Sequence, residues 1–229
     1  TRALFYSGLL CLLAFFVLIT SSLICLFNPV PGLSIRTGIT SLFGLSNLYL
    51  YFESFDYFGL NSSLNPFTNT WSLGIEEQFY LLFPILIFFT GFGREKKGSK
   101  NLFSLVSFLS FLSIISYLVT FSLDQSAAYF LPNNRFWEIG AGCLTYLLLD
   151  KKNYLTNKFD HINQVFLLII IFIIMLIPNL LGSVATILTV LFTSIFIYLF
   201  KYKSWTYNFF TNNYLLLIGK RSYSLYLWH

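Results

Sequence analysis

Charge is what this sequence has least of: charged side chains make up 10% of its 229 residues, against roughly 25% in soluble domains. That scarcity excludes an ordinary soluble globular fold. Histidine occurs twice, as His161 and His229, and the three cysteines, Cys11, Cys25 and Cys143, show no paired spacing. With so few candidate ligands, no clustered metal centre and no disulfide framework is expected, and the cysteines read as small core residues. A glycine-rich phosphate loop, a G-x-S-x-G nucleophile elbow and a basic, aromatic face for nucleic acid are also missing, so no nucleic-acid partner is expected. No internal repeat is found.

What is abundant is apolar surface: 56% of residues are hydrophobic and 21% aromatic, and the mean hydropathy is +0.72. The composition predicts an all-α, polytopic transmembrane bundle with the lipid bilayer as its solvent. A hydrocarbon core about 30 Å thick needs roughly 20 helical residues. Spans are predicted at Leu4 to Phe27, Ser72 to Phe92, Leu102 to Leu123, Phe136 to Leu149, Val165 to Leu181 and Val184 to Phe200, with a further one beginning in Leu215 to His229. The run "FLLIIIFIIM" reads as lipid-facing. Because the chain opens at Thr1 and stops within the apolar "SLYLWH", it is expected to be an incomplete bundle that lacks N-terminal spans and a C-terminal remainder.

The net charge of +5 is concentrated between spans, in Gly93 to Lys100, Asp150 to His161, Lys201 to Lys203 and Gly219 to Arg221. By the positive-inside rule these loops are cytoplasmic, which predicts a multi-pass protein of the cytoplasmic (inner) membrane. The helix from Ser72 then starts outside, and Glu76 and Glu77 lie at its extracytoplasmic end. The same topology keeps Pro29 to Thr70 outside, so "RTGITSLFGLSNLYLYF" is expected as an interfacial or re-entrant helix.

Three polar stretches interrupt this apolar chain. In "NTWSLGIEEQFYLLFP", residues 69–84, the plainest explanation of Glu76 and Glu77 is first-turn acids answering the helix N-terminal partial charge, about 0.3 to 1 kcal/mol each. Thr70 or Ser72 would then cap the helix and Trp71 anchor it at the interface. The hydrogen-bonding groups Asn65, Asn69, Ser72, Gln78 and Tyr80 point instead to a site, since acids in membrane segments usually have a task. Glu76 shares a face with Ser72, Phe79 and Tyr80, whereas Glu77 lies about 100° around. One acid is therefore expected to face the bundle and the other water.

In "NNRFWEIGAGCLTYLL", Arg135 and Glu138 are three apart, which suits a structural ion pair or an Arg holding phosphate or carboxylate. Gly140 and Gly142 would let another helix come close. "LLLIGKRSYSLYLWH" carries Ser222, Tyr223, Ser224, Tyr226 and His229 into an apolar segment. Its Tyr and Trp fit an interfacial belt, Lys220 and Arg221 fit inside anchors, and His229 reads as a packing residue or a catalyst.

These stretches, in this order, resemble acyltransferase family 3, the membrane O-acyltransferases of bacterial surface polysaccharides. "LNPFTNTWSLGIEEQFYLLFPILI" resembles the family signature. "SLFGLSNLYLYFESFDYFGLNSSLNPF" is similar to the branch often fused to an extracytoplasmic SGNH hydrolase-like domain. "FLPNNRFWEIGAGCLTYLL" resembles the Arg and Glu segment, and "LLLIGKRSYSLYLWH" a late span. The resemblance implies that residues 1–229 are part of a membrane acyltransferase domain of about ten spans. It implies transfer of an acyl group, commonly acetyl, from acyl-CoA to a hydroxyl of an extracytoplasmic glycan such as O-antigen, exopolysaccharide or peptidoglycan.

Acyl-CoA enters as donor substrate, and no bound cofactor is implied. The family's presumed base, a His on the first span, and its Arg-rich motif have no counterpart here, so the chain alone is expected to be inert. Onto matched positions the resemblance carries Glu76 as the catalytic residue. It carries Trp71, Ser72, Asn69, Arg135, Glu138, Tyr223, Tyr226 and His229 as substrate-binding residues. Glu76 would orient the missing His or hydrogen-bond the acceptor sugar, and Arg135 would balance negative charge on the donor or on Glu138. Many relatives in the SGNH-linked branch have His where this chain has Asn69, which can hydrogen-bond a sugar but not shuttle a proton.

Two other classes remain open on the sequence. A transporter or flippase for a polar lipid-linked substrate predicts an inverted repeat and paired broken helices. A non-catalytic assembly subunit predicts that Glu76→Gln is harmless.

Overall fold

The structure is a computed structural model that describes residues 15–17, 19–21, 23, 26, 27, 31–53, 65–150, 163–176, 182–200 and 204–227. Regular structure among these is entirely α-helical. The described residues between 15 and 27 are helical, and ten further helices follow: α1 (Pro31–Leu42), α2 (Ser46–Phe52), α3 (Thr70–Thr90), α4 (Gly98–Leu123), α5 (Gln125–Phe130), α6 (Pro132–Asp150), α7 (Gln164–Met175), α8 (Gly182–Leu199), α9 (Trp205–Phe210) and α10 (Asn213–Leu227).

Three of them, α3, α4 and α8, are long and apolar enough to cross a membrane. Large side chains such as Leu81, Phe88, Phe89, Phe108, Phe111 and Leu191 are exposed along them, as expected where the solvent is lipid rather than water. Other predicted spans need correction. The helix expected over Val165 to Leu181 ends at Met175, and its 12 residues reach only about 18 Å at 1.5 Å per residue. Residues 177–181, His161, His229, Cys11 and Cys25 lie outside the described residues. α6 is 19 residues long but opens on Asn133, Asn134, Arg135 and Glu138, and it falls outside the set of candidate spans.

The segment expected to be interfacial or re-entrant is a broken pair of short helices. α1 ends because Gly44 takes φ +66°, a conformation that favours glycine. The Leu45 N–H then donates to the Thr40 carbonyl at 2.9 Å and the Gly44 N–H to Ser41 at 3.2 Å. These bonds satisfy carbonyls that the helix end would otherwise leave open. Gly91, at φ +65°, ends α3 in the same way, with Phe92 N–H donating to Ile87 and Gly91 N–H to Phe88.

The chain divides into two compact units, the first comprising Thr1–Phe83, Val119–Arg135 and Lys220–His229, the second Pro84–Leu118 and Phe136–Gly219. Among the described residues the first has two apolar clusters. Phe16, Val17 and Phe67 are packed by Ile35, Leu73 and Tyr223, and Leu50 and Phe130 by Leu33, Tyr51 and Trp71. In the second, Leu167, Phe196 and Leu199 form the core where α7 meets α8. There too Gln164 donates to the Leu199 carbonyl and accepts from Thr206. α4 and α6 meet where Ser113 accepts from the Trp137 N–H at 3.1 Å and Gly140 lies against the Ser110 hydroxyl. The expected close approach thus occurs at Gly140, while Gly142 borders open space.

Candidate functional site

The polar residues singled out in the sequence gather, within the first unit, around the first two turns of α3. A turn at 65–69 prepares this end. The Asn65 carboxamide accepts from the Phe67 N–H and donates to Thr37, and the Thr70 hydroxyl returns to the Phe67 carbonyl. The Ser46 hydroxyl at the start of α2 donates to the Thr70 carbonyl at 2.9 Å.

α3 carries no acid in its first turn. Glu76 and Glu77 lie in the second, past the turn where the helix-end charge acts most strongly. The helix-dipole explanation of the pair is therefore weak. Helical spacing sends the two acids in different directions, and the fold decides which way each goes. Glu77 is half-buried and lies against the Gly44 turn, whereas Glu76 is exposed, as is Tyr80. Among the described residues neither carboxylate accepts a hydrogen bond.

Around the first turn of α3 stand two constellations. In one, the Tyr226 hydroxyl donates to the Asn69 carbonyl at 2.7 Å and lies 2.5 Å from the Ser72 hydroxyl. In the other, the guanidinium of buried Arg135 lies 4.8 Å from the Tyr129 ring centroid and 5.5 Å from that of Trp71. Its Nε donates to the Tyr129 carbonyl at 3.4 Å. Trp71 also meets Phe130 edge-on at 5.7 Å. A guanidinium held between two aromatic rings keeps its charge in a fixed place.

Six of the predicted site residues, Asn69, Trp71, Ser72, Arg135, Tyr223 and Tyr226, thus meet at this end of α3 beside Glu76. Glu138 lies one turn further along α6, in the second unit, and His229 falls outside the described residues. Tyr129 and Asn47 were not singled out by sequence reasoning. The available signal was an amide placed inside the apolar run "LSNLYLY", and Asn47 is fully buried.

The chain was compared with known proteins. No family model matches it, and no solved structure does. It is 29% identical over 206 residues to O-acetyltransferase OatA of Staphylococcus aureus strain NCTC 8325, covering 85% of this chain and 34% of that protein. The same figures hold for OatA of strain MRSA252. It is 31% identical over 202 residues, 83% of this chain and 33% of the relative, to a protein of strain COL provisionally named as an O-acetyltransferase. The chain thus spans about a third of the length of these curated relatives. Over most of its own length it is a relative of these O-acetyltransferases, in keeping with membership of acyltransferase family 3.

Proposed function

We propose that this chain is part of the membrane domain of an O-acyltransferase that moves an acyl group, acetyl first among candidates, from acyl-CoA to a hydroxyl of an extracytoplasmic glycan. The observation that carries this reading is the relationship to O-acetyltransferases along 85% of the chain. It is joined by the gathering of Glu76, Ser72, Tyr226 and Arg135 at one end of α3.

In this reading the acceptor hydroxyl oxygen attacks the thioester carbonyl, the carbon–sulfur bond breaks, and the hydroxyl proton passes through a base to the departing thiolate. Exposed Glu76 hydrogen-bonds the acceptor hydroxyl or orients the base that takes its proton. Arg135, fixed by Trp71 and Tyr129, balances the negative charge that develops on the carbonyl oxygen. The Ser72, Tyr226 and Asn69 groups offer hydrogen bonds to a sugar, and the positive-inside rule applied to the cationic loops supports an extracytoplasmic side for this end of α3.

The test is acyl transfer to envelope glycan in cells lacking their own transferase. It compares the full-length protein with its Glu76→Gln and Arg135→Ala variants at matched membrane abundance. Transfer by the parent and its loss in both folded variants is the expected result. Variants that acylate like the parent would remove the site assignment, and a parent that transfers nothing would favour a transporter or an assembly subunit.

A further inference from the structure

Gln78 follows the acid pair directly, and both hydrogens of its amide go to other elements. The two hydrogens on Nε2 go to the Gly44 carbonyl at 2.7 Å and to Oδ1 of Asn47 at 2.9 Å. Asn47, with no exposed surface, passes its own Nδ2 to the Phe130 carbonyl at 2.9 Å. Three hydrogen bonds therefore tie α3 to the Gly44 turn, to α2 and to α5. Phe130 is the neighbour of Tyr129, whose carbonyl and ring hold Arg135.

Two glycines make the contact close. A Cβ on Gly74, one turn before Gln78, would stand 2.9 Å from Asn47 Oδ1 and 3.1 Å from the Gly44 carbonyl oxygen, and a Cβ on Gly44 would stand 2.5 Å from Glu77 Oε2. There is no slack through which α3 could slide. A buried amide pair tolerates one register, because a shift leaves its donors and acceptors unpaired. An apolar pair of equal volume would fill the space without choosing among registers.

We propose that Asn47 and Gln78 are positioning residues for acyl transfer. They clamp the α1–α2 pair onto α3, and so fix where Glu76 and Glu77 stand relative to Arg135; this role rests on the acyltransferase reading above. Neither amide gains or loses a proton in the reaction. Their effect is on placement, and displacements of about 1 Å can lower a rate on the order of 100-fold.

The experiment uses the full-length protein in membranes, with Gln78→Leu, Asn47→Leu and the double variant. Gln78→Met, similar in length, replaces the leucine variant if that one does not accumulate. Two quantities are read: kcat and KM for transfer, and amide hydrogen exchange across residues 31–53. The expected result is a fall in kcat of about tenfold or more with KM within about twofold, and a double variant no slower than the worse single one. Exchange should quicken around the Gly44 turn. Unchanged kcat in the single variants, or losses that multiply in the double, would overturn the proposal. A parent without transferase activity would instead defeat the acyltransferase reading alone. Exchange would then decide the clamp by itself, with unchanged protection in the variants rejecting it.

Discussion

The hydroxyl of Tyr226 on α10 donates to the Asn69 carbonyl at 2.7 Å and stands 2.5 Å from the Ser72 hydroxyl, joining positions 157 and 154 residues apart. α10 is thereby fastened to the start of α3 through one phenol. Tyr226→Phe keeps the ring and removes the bonds, at about 1 kcal/mol each. Transfer should fall roughly fivefold in Ser72→Ala, which loses one of these bonds, and roughly 30-fold in Tyr226→Phe, which loses both. Because both break the same contact, the double variant should fall little further. Rates at matched membrane abundance check this.

Arg135→Lys keeps the positive charge and loses the planar surface that lies over Tyr129 and Trp71. A cation on an aromatic face contributes about 0.5 to 2 kcal/mol. Arg135→Lys should therefore lower transfer by roughly 2- to 30-fold. Trp71→Phe, which retains a ring, should be milder than Trp71→Leu. The comparison of the three in one transfer assay separates stacking from charge.

Gly44→Ala should destabilise for two separable reasons. The left-handed backbone at φ +66° disfavours a Cβ by about 1 to 2 kcal/mol, and the added carbon meets the Glu77 carboxylate at 2.5 Å. Adding Glu77→Ala removes the second reason and leaves the first. Thermal unfolding midpoints should rank the parent first, Gly44→Ala with Glu77→Ala second, and Gly44→Ala alone last.

In the second unit, Gly140→Ala drives a methyl into the Ser110 hydroxyl. Overpacking of this kind destabilises by about 1 to 3 kcal/mol. The variant should show a lower unfolding midpoint and lower membrane abundance, with transfer per folded molecule unchanged. Ser110→Gly in the same chain should restore the midpoint.

Much of this was legible in the sequence, because hydropathy and length act locally. The helical class, the spans within α3, α4 and α8, and the failure of residues 31–53 to form a span all follow from which side chains lipid accepts. The proximity of Asn69, Trp71 and Ser72 was legible too, since neighbours on one helix turn remain neighbours in space. The end of α7 at Met175 was marked in the sequence by Pro178 and Asn179 just beyond it, a stop signal that a reading by hydropathy alone passes over.

Tertiary structure decided the rest. Helical spacing separates the faces of Glu76 and Glu77 but cannot say which face meets the α1–α2 pair. That was set by Gly44 and Gly74, where the missing side chains let α3 come down on the turn and bring Glu77 with it. Nor could any local pattern join Asn47 to the Phe130 carbonyl, 83 residues away, or set Trp71 under Arg135. A buried amide and a buried guanidinium need partners, but the sequence states only the need. Which partner answers depends on where close-packed helices place their carbonyls and rings.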